Sequence, residues 1–338
     1  MINKRTAILL VNTGSPDSPD VISVRSYLKQ FLNDPRVIVM PKLLRSILVN
    51  CIIVPFRSPK SALKYKEIWD GSSFPLIRNS VNLVEKIKIK LGGSKAVFLA
   101  MRYGKPAIED AIFQIRNEGF DEIILLPLFP QYSSSTTGSV IESTLNKLKK
   151  ADYFPILKTV KHFYKEPAFI KAFASRVREY HPEEFEFILF SFHGLPVKQA
   201  EAVYPDENIK RLDYNKNNHG NEILNYETSC HETAKLIADE LGLAHDRYSV
   251  TFQSRFSKNW LSPFTDSILI EKAQSGIKSI LIVSPSFVAD CLETIHELGV
   301  EYSGLFKKHG GTRIEYVESL NDSDEWVDAV LKIVSQNF

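Results

Sequence analysis

Short, almost continuously apolar runs recur along the 338-residue chain, and amphipathic stretches separate many of them. Strands that are apolar on both faces are typical of parallel sheets covered by helices on both sides. The pattern therefore predicts the α/β class, with doubly wound parallel sheets. The predicted strands are Thr6–Asn12, Lys95–Met101, Glu122–Leu128, Phe185–Phe192, Tyr248–Gln253 and Lys278–Ser284. The predicted helices are Leu76–Leu91, Lys105–Glu118, Ala168–Tyr180, Glu222–Leu241 and Thr265–Ser275.

A weak internal repeat indicates two such units. An apolar strand that runs into a Gly-x-Pro turn occurs as ILLVNTGSP from Ile8 and again as ILFSFHGLP from Ile188. We therefore expect two Rossmann-like domains, residues 1–155 and 156–320, that face each other across a cleft. A final helix within residues 321–338 has an apolar face and is expected to pack back on the N-terminal domain. Neither half contains a GxGxxG or GxxxxGK[ST] motif, so nucleotide binding has no support in the sequence.

Composition narrows the classes of function. The net charge is +2 and no block of arginine and lysine stands out, which argues against a nucleic-acid partner. Cys51, Cys230 and Cys291 lie far apart without a CxxC pair, so a disulfide framework or a structural zinc site is not expected. The first residues, MINKRT, lead directly into a predicted strand, and we therefore expect a cytoplasmic protein without a signal peptide.

The longest apolar run extends from Ile47 to Phe56 and is about half the length that a membrane-spanning helix needs. We call this run the lip segment. Arg45 and Arg57 flank it, and their apolar stems with charged ends suit a membrane surface as well as the edge of an apolar cleft. The sequence thus predicts a cleft mouth, with peripheral membrane contact as an open alternative.

Glu293, Glu297 and Glu301 recur every fourth residue in the segment Val288–Glu301, just after the last predicted strand. If this segment is helical, the three carboxylates form one row, which we call the carboxylate ladder. Like charges at this spacing repel by about a few tenths of a kcal/mol per pair, so the helix itself gains nothing from them. Hard oxygen ligands beside the carboxyl edge of a parallel sheet suit a divalent cation or a proton route. A solvated helix face is the alternative, and the neighbouring His296 is not included in the predicted site.

His193 lies in FSFHGLP, where a buried predicted strand leaves its sheet. An imidazole at this edge accepts a proton near neutral pH or binds a divalent metal, whereas a histidine that merely ends the strand is the alternative. Together with the carboxylate ladder at another strand end, His193 would form an acid–base pair across a gap.

Further polar and aromatic side chains follow other predicted strands. The hydroxyl-rich stretch Tyr132–Ser139 either caps the next helix or hydrogen-bonds an anionic ligand. Arg255 suits a carboxylate, and Trp260 either faces an aromatic ligand or packs in a surface turn. The remaining groups at the same edges are Asn12, Thr13, Arg102 and Tyr103.

The chain resembles the ferrochelatase family over nearly its whole length. The matching motifs, in family order, are LVNTGSP from Leu10, FRSPK from Phe56, AMRY from Ala100, FPQYSSSTTG from Phe129, SFHGLP from Ser191, FQSR from Phe252, WLSP from Trp260 and ADCLET from Ala289. The resemblance implies insertion of ferrous iron into protoporphyrin IX to give protohaem in haem biosynthesis. It also implies that His193 and Glu293 are the paired catalytic and iron-binding residues. Glu297 and Glu301 would form an outer carboxylate track.

By the same resemblance, a further set of residues would surround the macrocycle. They are Asn12, Thr13, Arg57, Arg102, Tyr103, Tyr132, Trp260 and Asp290. Some family members carry a C-terminal extension whose cysteines hold an iron–sulfur cluster; this sequence has none, so no cofactor is expected beyond the substrate iron. The position two before Glu293, often histidine in the family, is Cys291, and its contact with metal is left open.

Two alternatives share the predicted fold. One is a chelatase for another tetrapyrrole, either coproporphyrin III with iron or sirohydrochlorin with cobalt, although the cobalt enzymes tend to use histidine where this chain has Glu293. The other is a non-catalytic protein that binds haem or metal. The sequence leaves the oligomeric state open.

Overall fold

A computed structural model describes residues 5–92, 96–149, 154–201 and 225–336. In these residues the strands form two parallel four-stranded sheets. The first has the order β2-β1-β3-β4 and the second the order β6-β5-β7-β8. The strands are β1 Thr6–Asn12, β2 Ala96–Met101, β3 Glu122–Pro127, β4 Ile156–Thr159, β5 Phe187–His193, β6 Tyr248–Gln253, β7 Ser279–Val283 and β8 Arg313–Tyr316. Parallel sheets with flanking helices confirm the predicted α/β class.

Helices connect the strands. The α-helices of the described residues are α1 Val21–Leu32, α2 Lys42–Ile47, α3 Val54–Glu67, α4 Pro75–Leu91, α5 Ile108–Asn117, α6 Ser139–Leu148, α7 Pro167–Arg178, α8 Val197–Glu201, α9 Tyr226–Leu241, α10 Thr265–Gln274, α11 Tyr302–Lys308 and α12 Asp324–Gln336. Wider π-helical turns form π1 Leu48–Ile53, π2 Ser134–Gly138 and π3 Glu293–Glu301, and short 3₁₀ turns lie at Pro182–Glu184 and His245–Arg247. Parts of the predictions at Lys95, residues 150–153, 222–224 and 337–338 lie outside the described residues.

The central strands are buried because helices cover both of their faces. Ile8 of β1 pairs with Val97 of β2 and with Ile124 of β3, and at most 2% of any of these residues is exposed. β5 occupies the same central position in the second sheet. In doubly wound folds the carboxyl ends of such strands carry the ligand site.

One hydrophobic core extends through both halves. It contains Leu10 of β1 and Phe190 of β5 together with α7 and α12. Trp326 of α12 is fully buried against Phe163 and Phe169. The same helix packs on α4 of the first half, where Lys90 pairs with Asp328 at 2.6 Å.

Two edge strands were absent from the predicted set. β4 and β8 have four residues each and are largely half-exposed, so they lack the continuous apolar run that identifies the central strands. β4 pairs with β3 in the first sheet. The predicted domain boundary between residues 155 and 156 is therefore too early, because the first sheet extends to Thr159.

The helix predicted over Val288–Glu301 begins later than expected, and it is a π-helix, which is wider than an α-helix. Residues 288–291 form a loop, and π3 begins at Glu293. The loop is held away from helical geometry by hydrogen bonds to a distant segment. The Asp290 N–H donates to Asn321 Oδ1 at 2.9 Å, and the Asn321 N–H donates to the Val288 carbonyl at 2.8 Å.

None of the helices in the described ranges combines the length and the apolar character needed to cross a bilayer.

A pair of glycine variants tests how tightly the first sheet edge is packed. Gly14 and Gly71 both have positive φ angles, +104° and +100°, but a Cβ on Gly14 would lie 1.8 Å from the Tyr103 carbonyl oxygen, whereas a Cβ on Gly71 meets nothing within 4 Å. We expect Gly71→Ala to lower the free energy of unfolding by about 1–3 kcal/mol, the cost of backbone strain alone. Gly14→Ala should lower it by at least about 2 kcal/mol more, because the backbone must also move. If urea unfolding shows that the two variants lose the same free energy of unfolding, this packing is contradicted.

Candidate active site

The backbone of His193 is held from three sides at the carboxyl end of β5. The buried Tyr226, first residue of α9, donates its hydroxyl to the His193 carbonyl at 2.8 Å. The His193 N–H donates to Ser286 Oγ at 3.3 Å, and the Gly194 N–H donates to the Gln253 carbonyl at 2.9 Å. Burial raises the pKa of the Tyr226 phenol well above its usual value, so that this hydroxyl remains a donor.

The ring of His193 has a defined tautomer when it is neutral. Its Nδ1 lies 2.7 Å from the Gly194 carbonyl oxygen, which only accepts hydrogen bonds. Nδ1 therefore carries the proton, and the lone pair is on Nε2. The His193 ring is thus arranged to accept a proton or bind a metal through Nε2.

Aromatic side chains flank the His193 ring. The Trp260 ring centroid lies 6.5 Å from it and the Phe287 centroid 6.2 Å. A Cβ on Gly194 would lie 2.8 Å from the Gln253 carbonyl oxygen and 3.3 Å from the Trp260 ring, so glycine is needed for this close packing. The predicted site residue Trp260 therefore lies beside His193.

Glu297 of π3 reaches the end of β6. Its carboxylate accepts hydrogen bonds from the Ser254 N–H at 3.0 Å, the Ser254 hydroxyl at 2.5 Å and the Tyr302 hydroxyl at 3.0 Å. Ser254 adopts a φ of +62°, a strained conformation for a non-glycine residue that is common at functional sites. Burial raises the pKa of Glu297, whereas its hydrogen bonds and the nearby His193 lower it and Glu293 raises it further.

Glu293 begins π3 and lies toward the first half. Burial raises the pKa of Tyr27 and Tyr65 well above the usual value, and the charge of Glu293 adds to both shifts. Burial and Glu293 likewise raise the pKa of Cys291 well above its usual value, so Cys291 remains a thiol. Cys291 also packs with Leu76 of α4 and Met101 of β2, so it joins the Glu293 segment to the first half.

Glu301, the last member of the carboxylate ladder, is engaged with other side chains. Its Oε1 lies 2.5 Å from Lys64 Nζ and 3.1 Å from His296 Nε2. The expected row is therefore divided: Glu297 is bound by residues of the second half, and Glu301 contacts α3 of the first half.

Asp290 has a structural position. It is 5% exposed, and its carboxylate accepts hydrogen bonds from Thr294, Tyr316, Ser319 and Asn321. These bonds join the loop before Glu293 to the segment that follows β8. Asp290 therefore holds the Glu293 segment in place, and its contact with the macrocycle stays a prediction.

Arg102 and Tyr103 belong to one buried polar network. Both side chains donate to Asp34 Oδ2, at 2.5 and 2.8 Å, and the hydroxyl of Ser139 donates to the same oxygen. Tyr103 is only 3% exposed, and burial followed by Asp34 raises its pKa. This network joins the ends of α1, β2 and π2. Within it, the Tyr103 hydroxyl already donates its hydrogen bond to Asp34.

The end of β1 is joined to the end of β2. The Arg102 N–H donates to the Asn12 carbonyl at 2.8 Å, and the Tyr103 N–H donates to the Thr13 carbonyl at 2.9 Å. Asn12 Oδ1 accepts from the Thr13 N–H at 2.8 Å. Asn12 is buried and Thr13 is half-buried, so Thr13 is the more accessible of the two predicted residues.

The hydroxyl-rich stretch caps a helix, which was the structural alternative. Ser133 Oγ accepts from the Thr136 N–H at the start of π2, and Ser134 accepts from Arg36. Tyr132 lines a surface cavity of about 270 Å³ together with Arg36 and Glu142. The structure thus places Tyr132 on the surface of the first half beside this helix start.

Arg57 connects the two halves at the lip segment. Its guanidinium lies 4.9 Å from the centroid of Phe256, and the Phe256 centroid is 5.9 Å from that of Trp260. A continuous set of contacts therefore extends from α3 to His193. Arg255, the predicted carboxylate partner, pairs with the Asp266 carboxylate at 2.6 Å and packs over Phe264.

Several contributors to the site were not predicted. Phe287 and Ser254 follow strand ends, and that position was the available signal in the sequence. Tyr226 and Asp34 carry no such signal, because they lie at the start of α9 and after α1. In the described residues, no three His, Cys, Asp or Glu side chains form a cluster that holds a metal ion. Iron binding by His193 and Glu293 stays a prediction.

The fold defines the class of protein. The two parallel sheets with their flanking helices superpose on two solved structures, one a chelatase and the other a protein described as structurally similar to chelatases. The sirohydrochlorin chelatase SirB from Bacillus subtilis subspecies spizizenii, in complex with cobalt, superposes with a TM-score of 0.56 at 11% identity, covering 98% of this chain and 95% of that one. The DR2241 protein from Deinococcus radiodurans gives 0.55 at 9% identity, over 99% of this chain and 55% of that one. The fold is that of the chelatases.

The sequence then defines the family within that class. A profile of the ferrochelatase family matches residues 5–338. A ferrochelatase from Legionella pneumophila strain Lens is 40% identical over 99% of this chain and 100% of that protein. One from Coxiella burnetii strain Dugway 5J108-111 is 38% identical over 99% and 94%. The chain belongs to the ferrochelatase family, whose members are metal-inserting lyases of haem biosynthesis, and the resemblance found in its motifs is confirmed.

A glutamine variant tests the buried Glu297 carboxylate. Because its pKa is raised on folding, the folded protein retains a proton that the unfolded chain has lost, and stability falls as the pH rises through that interval. Glutamine does not titrate. The melting temperature of Glu297→Gln minus that of the wild type should therefore increase as the pH rises from about 4 and level off above the raised pKa.

Thermal unfolding across this pH range measures the difference, and the exposed Glu271→Gln on α10 is the control. A difference between Glu297→Gln and the wild type that is constant, or that shrinks with rising pH, would contradict the raised pKa.

Proposed function

We propose that this chain inserts ferrous iron into protoporphyrin IX to form protohaem, with release of two protons. Membership of the ferrochelatase family supports the metal and the reaction. The observation that supports the assignment of the site is that Glu297 of π3 binds Ser254, the residue after Gln253, and that Gln253 pairs with His193 where β6 lies beside β5. His193 lowers the pKa of Glu297, whereas Glu293 raises it.

His193 accepts pyrrole protons in this proposal. The porphyrin loses two N–H protons as iron enters, so the reaction needs a base within reach of the macrocycle centre. Nε2 of His193 is available, because Nδ1 donates to the Gly194 carbonyl. The hydrogen bonds to Tyr226 and Ser286 fix the backbone of His193, and the Nδ1–Gly194 hydrogen bond orients its ring, as a positioned base requires.

Glu293 binds the incoming iron or the protons that the porphyrin releases. Burial keeps the nearby Cys291 as a neutral thiol, and its packing on Leu76 and Met101 holds the start of π3 against the first half. Glu297 is the second carboxylate, and its raised pKa favours proton uptake near the site. Glu301 is paired with Lys64 and His296 and is the least available member of the track.

The macrocycle stacks beside Trp260 and Phe287 in this proposal, with Thr13 and Arg57 at its rim. Trp260 and Phe287 lie beside the His193 ring, and aromatic side chains at this position suit contact with a flat aromatic ligand. Asn12, Arg102 and Tyr103 support the opposite strand ends through their hydrogen bonds. Tyr132 stays a predicted contact at the edge. We propose no cofactor beyond the substrate iron and no iron–sulfur cluster.

The surface around the lip segment supports an apolar substrate. Ile47, Ile52 and Phe56 are 50%, 52% and 76% exposed. Val39, Leu43 and Leu44 are exposed in the preceding segment. An apolar surface of this kind is typical of sites that meet apolar ligands or membranes. We therefore propose a cytoplasmic protein whose lip segment touches the membrane surface, where apolar porphyrin and haem would exchange.

Alanine variants of the proposed pair test the reaction. His193→Ala and Glu293→Ala should each lower kcat for iron insertion by about 10²–10⁴-fold, because each removes a positioned proton or metal carrier. The measurement is the absorbance of protohaem formed with protoporphyrin saturating, and parallel assays with coproporphyrin III establish the substrate.

His245→Gln and Glu271→Gln, which replace exposed residues distant from π3 in sequence, are the matched controls. Near-normal turnover in either alanine variant would remove that residue from the mechanism. Turnover of coproporphyrin III well above that of protoporphyrin would overturn the proposed substrate.

A serine double variant tests the lip segment. Ile52→Ser/Phe56→Ser should lower co-sedimentation with anionic liposomes several-fold, since it removes two exposed apolar contacts. Ile53 is unsuitable because it packs inward against Val49 and its neighbours. The control is Ile89→Ser/Phe113→Ser, which changes two equally exposed apolar residues on α4 and α5. Equal binding of both variants would exclude the membrane contact.

A further inference from the structure

Four charged or polar side chains meet where α3 of the first half contacts π3 of the second. His296 Nδ1 lies 2.7 Å from Glu67 Oε2, and its Nε2 lies 3.1 Å from Glu301 Oε1. Lys64 Nζ lies 2.5 Å from the same oxygen of Glu301. The His296 side chain is only 10% exposed, whereas the other three are 42–56% exposed. We call these four residues the α3–π3 link.

His296 contacts the first half through Glu67 and its own helix through Glu301. The Nδ1–Glu67 contact crosses between the halves, because Glu67 ends α3, whereas Glu301 ends π3, on which His296 also lies. A carboxylate faces each ring nitrogen, so a protonated ring, which donates from both nitrogens, would bind both carboxylates. The Lys64–Glu301 ion pair is the second contact of the link between α3 and π3.

Both elements of the link also carry site residues. π3 carries Glu293 and Glu297, three residues before His296 and one residue after it. α3 carries Arg57, and also Tyr65, whose pKa responds to Glu293. Leu292 and Ile295 pack against the hydrophobic cluster that contains Tyr65, so apolar contacts and the link act on the same pair of elements. A change in the distance between α3 and π3 would move the Glu293 carboxylate relative to His193.

We infer that His296 is a positioning residue, which holds π3 against α3 so that the Glu293 carboxylate keeps its position relative to His193. In this assignment Glu301 belongs to the link instead of to a metal route. The expected effect on iron insertion rests on the proposed function. The contacts between α3 and π3 do not depend on it.

Glu67→Gln is the most informative variant, because Glu67 is exposed, lies on α3 and belongs to no predicted metal route. It should lower kcat for iron insertion several-fold with an iron KM within about twofold of the wild type. His296→Leu should lower kcat by about tenfold or more, since misplacing a reacting group by about 1 Å costs on the order of a hundredfold. His296→Gln, which retains one donor, should recover part of that loss.

The double variant Glu67→Gln/His296→Leu should be no slower than His296→Leu alone, because residues of one link are not additive. Lys90→Gln is the matched control, since Lys90 also joins the two halves through an exposed ion pair, with Asp328. Exposed ion pairs add little to global stability, so Glu67→Gln and Lys90→Gln should melt at similar temperatures.

Amide hydrogen exchange provides a readout that is independent of turnover. Exchange in α3 and π3 should be faster in His296→Leu than in the wild type and unchanged in Lys90→Gln. If Glu67→Gln has the kcat of Lys90→Gln, or if exchange in α3 and π3 does not change, the positioning role is overturned. It is also overturned if Glu301→Gln raises the iron KM while Glu67→Gln leaves kcat unchanged, because Glu301 would then serve iron. A wild-type protein that inserts no iron would refute the proposed function, and the exchange measurement would still decide the link.

Discussion

The backbone hydrogen bonds of His193 and Gly194 are the constraint on which the rest of the candidate site depends. Those of His193 join it to α9 and to the loop after β7, and that of Gly194 joins it to the end of β6, so three elements of the second half hold this strand end. Gly194 allows Trp260 and the Gln253 carbonyl to approach. A base must be held close to its target to act, so this placement supports the proposed role of His193 as a base.

The carboxylate side of the site depends on contacts between the two halves. Asp290 ties the loop before π3 to the segment after β8, and Cys291 packs it on α4 and β2. Leu292 and Ile295, on either side of Glu293, pack on a hydrophobic cluster of the first half, whereas Glu297 is bound at the end of β6. A site assembled in this way brings together groups that neither sheet holds alone, and its geometry follows the packing of loops and helices more than the strands.

The sequence predicted the central strands because their apolar runs are buried on both faces. It did not predict β4 and β8, whose four residues are largely half-exposed. The spacing of Glu293, Glu297 and Glu301 predicted a helical row, and the row exists only in part. Lys64 lies 237 residues before Glu301, so spacing could not show that this carboxylate is engaged with α3. The motif indicated Asp290 as a ligand contact, but it could not show that this carboxylate accepts hydrogen bonds from Tyr316, Ser319 and Asn321.

A crystal structure of the protein with bound protoporphyrin is the most direct test of the account. The account predicts a macrocycle beside Trp260 with its nitrogen centre between His193 Nε2 and the Glu293 carboxylate. A porphyrin bound with either side chain remote from the nitrogen centre, or bound outside the space between the two halves, would contradict it.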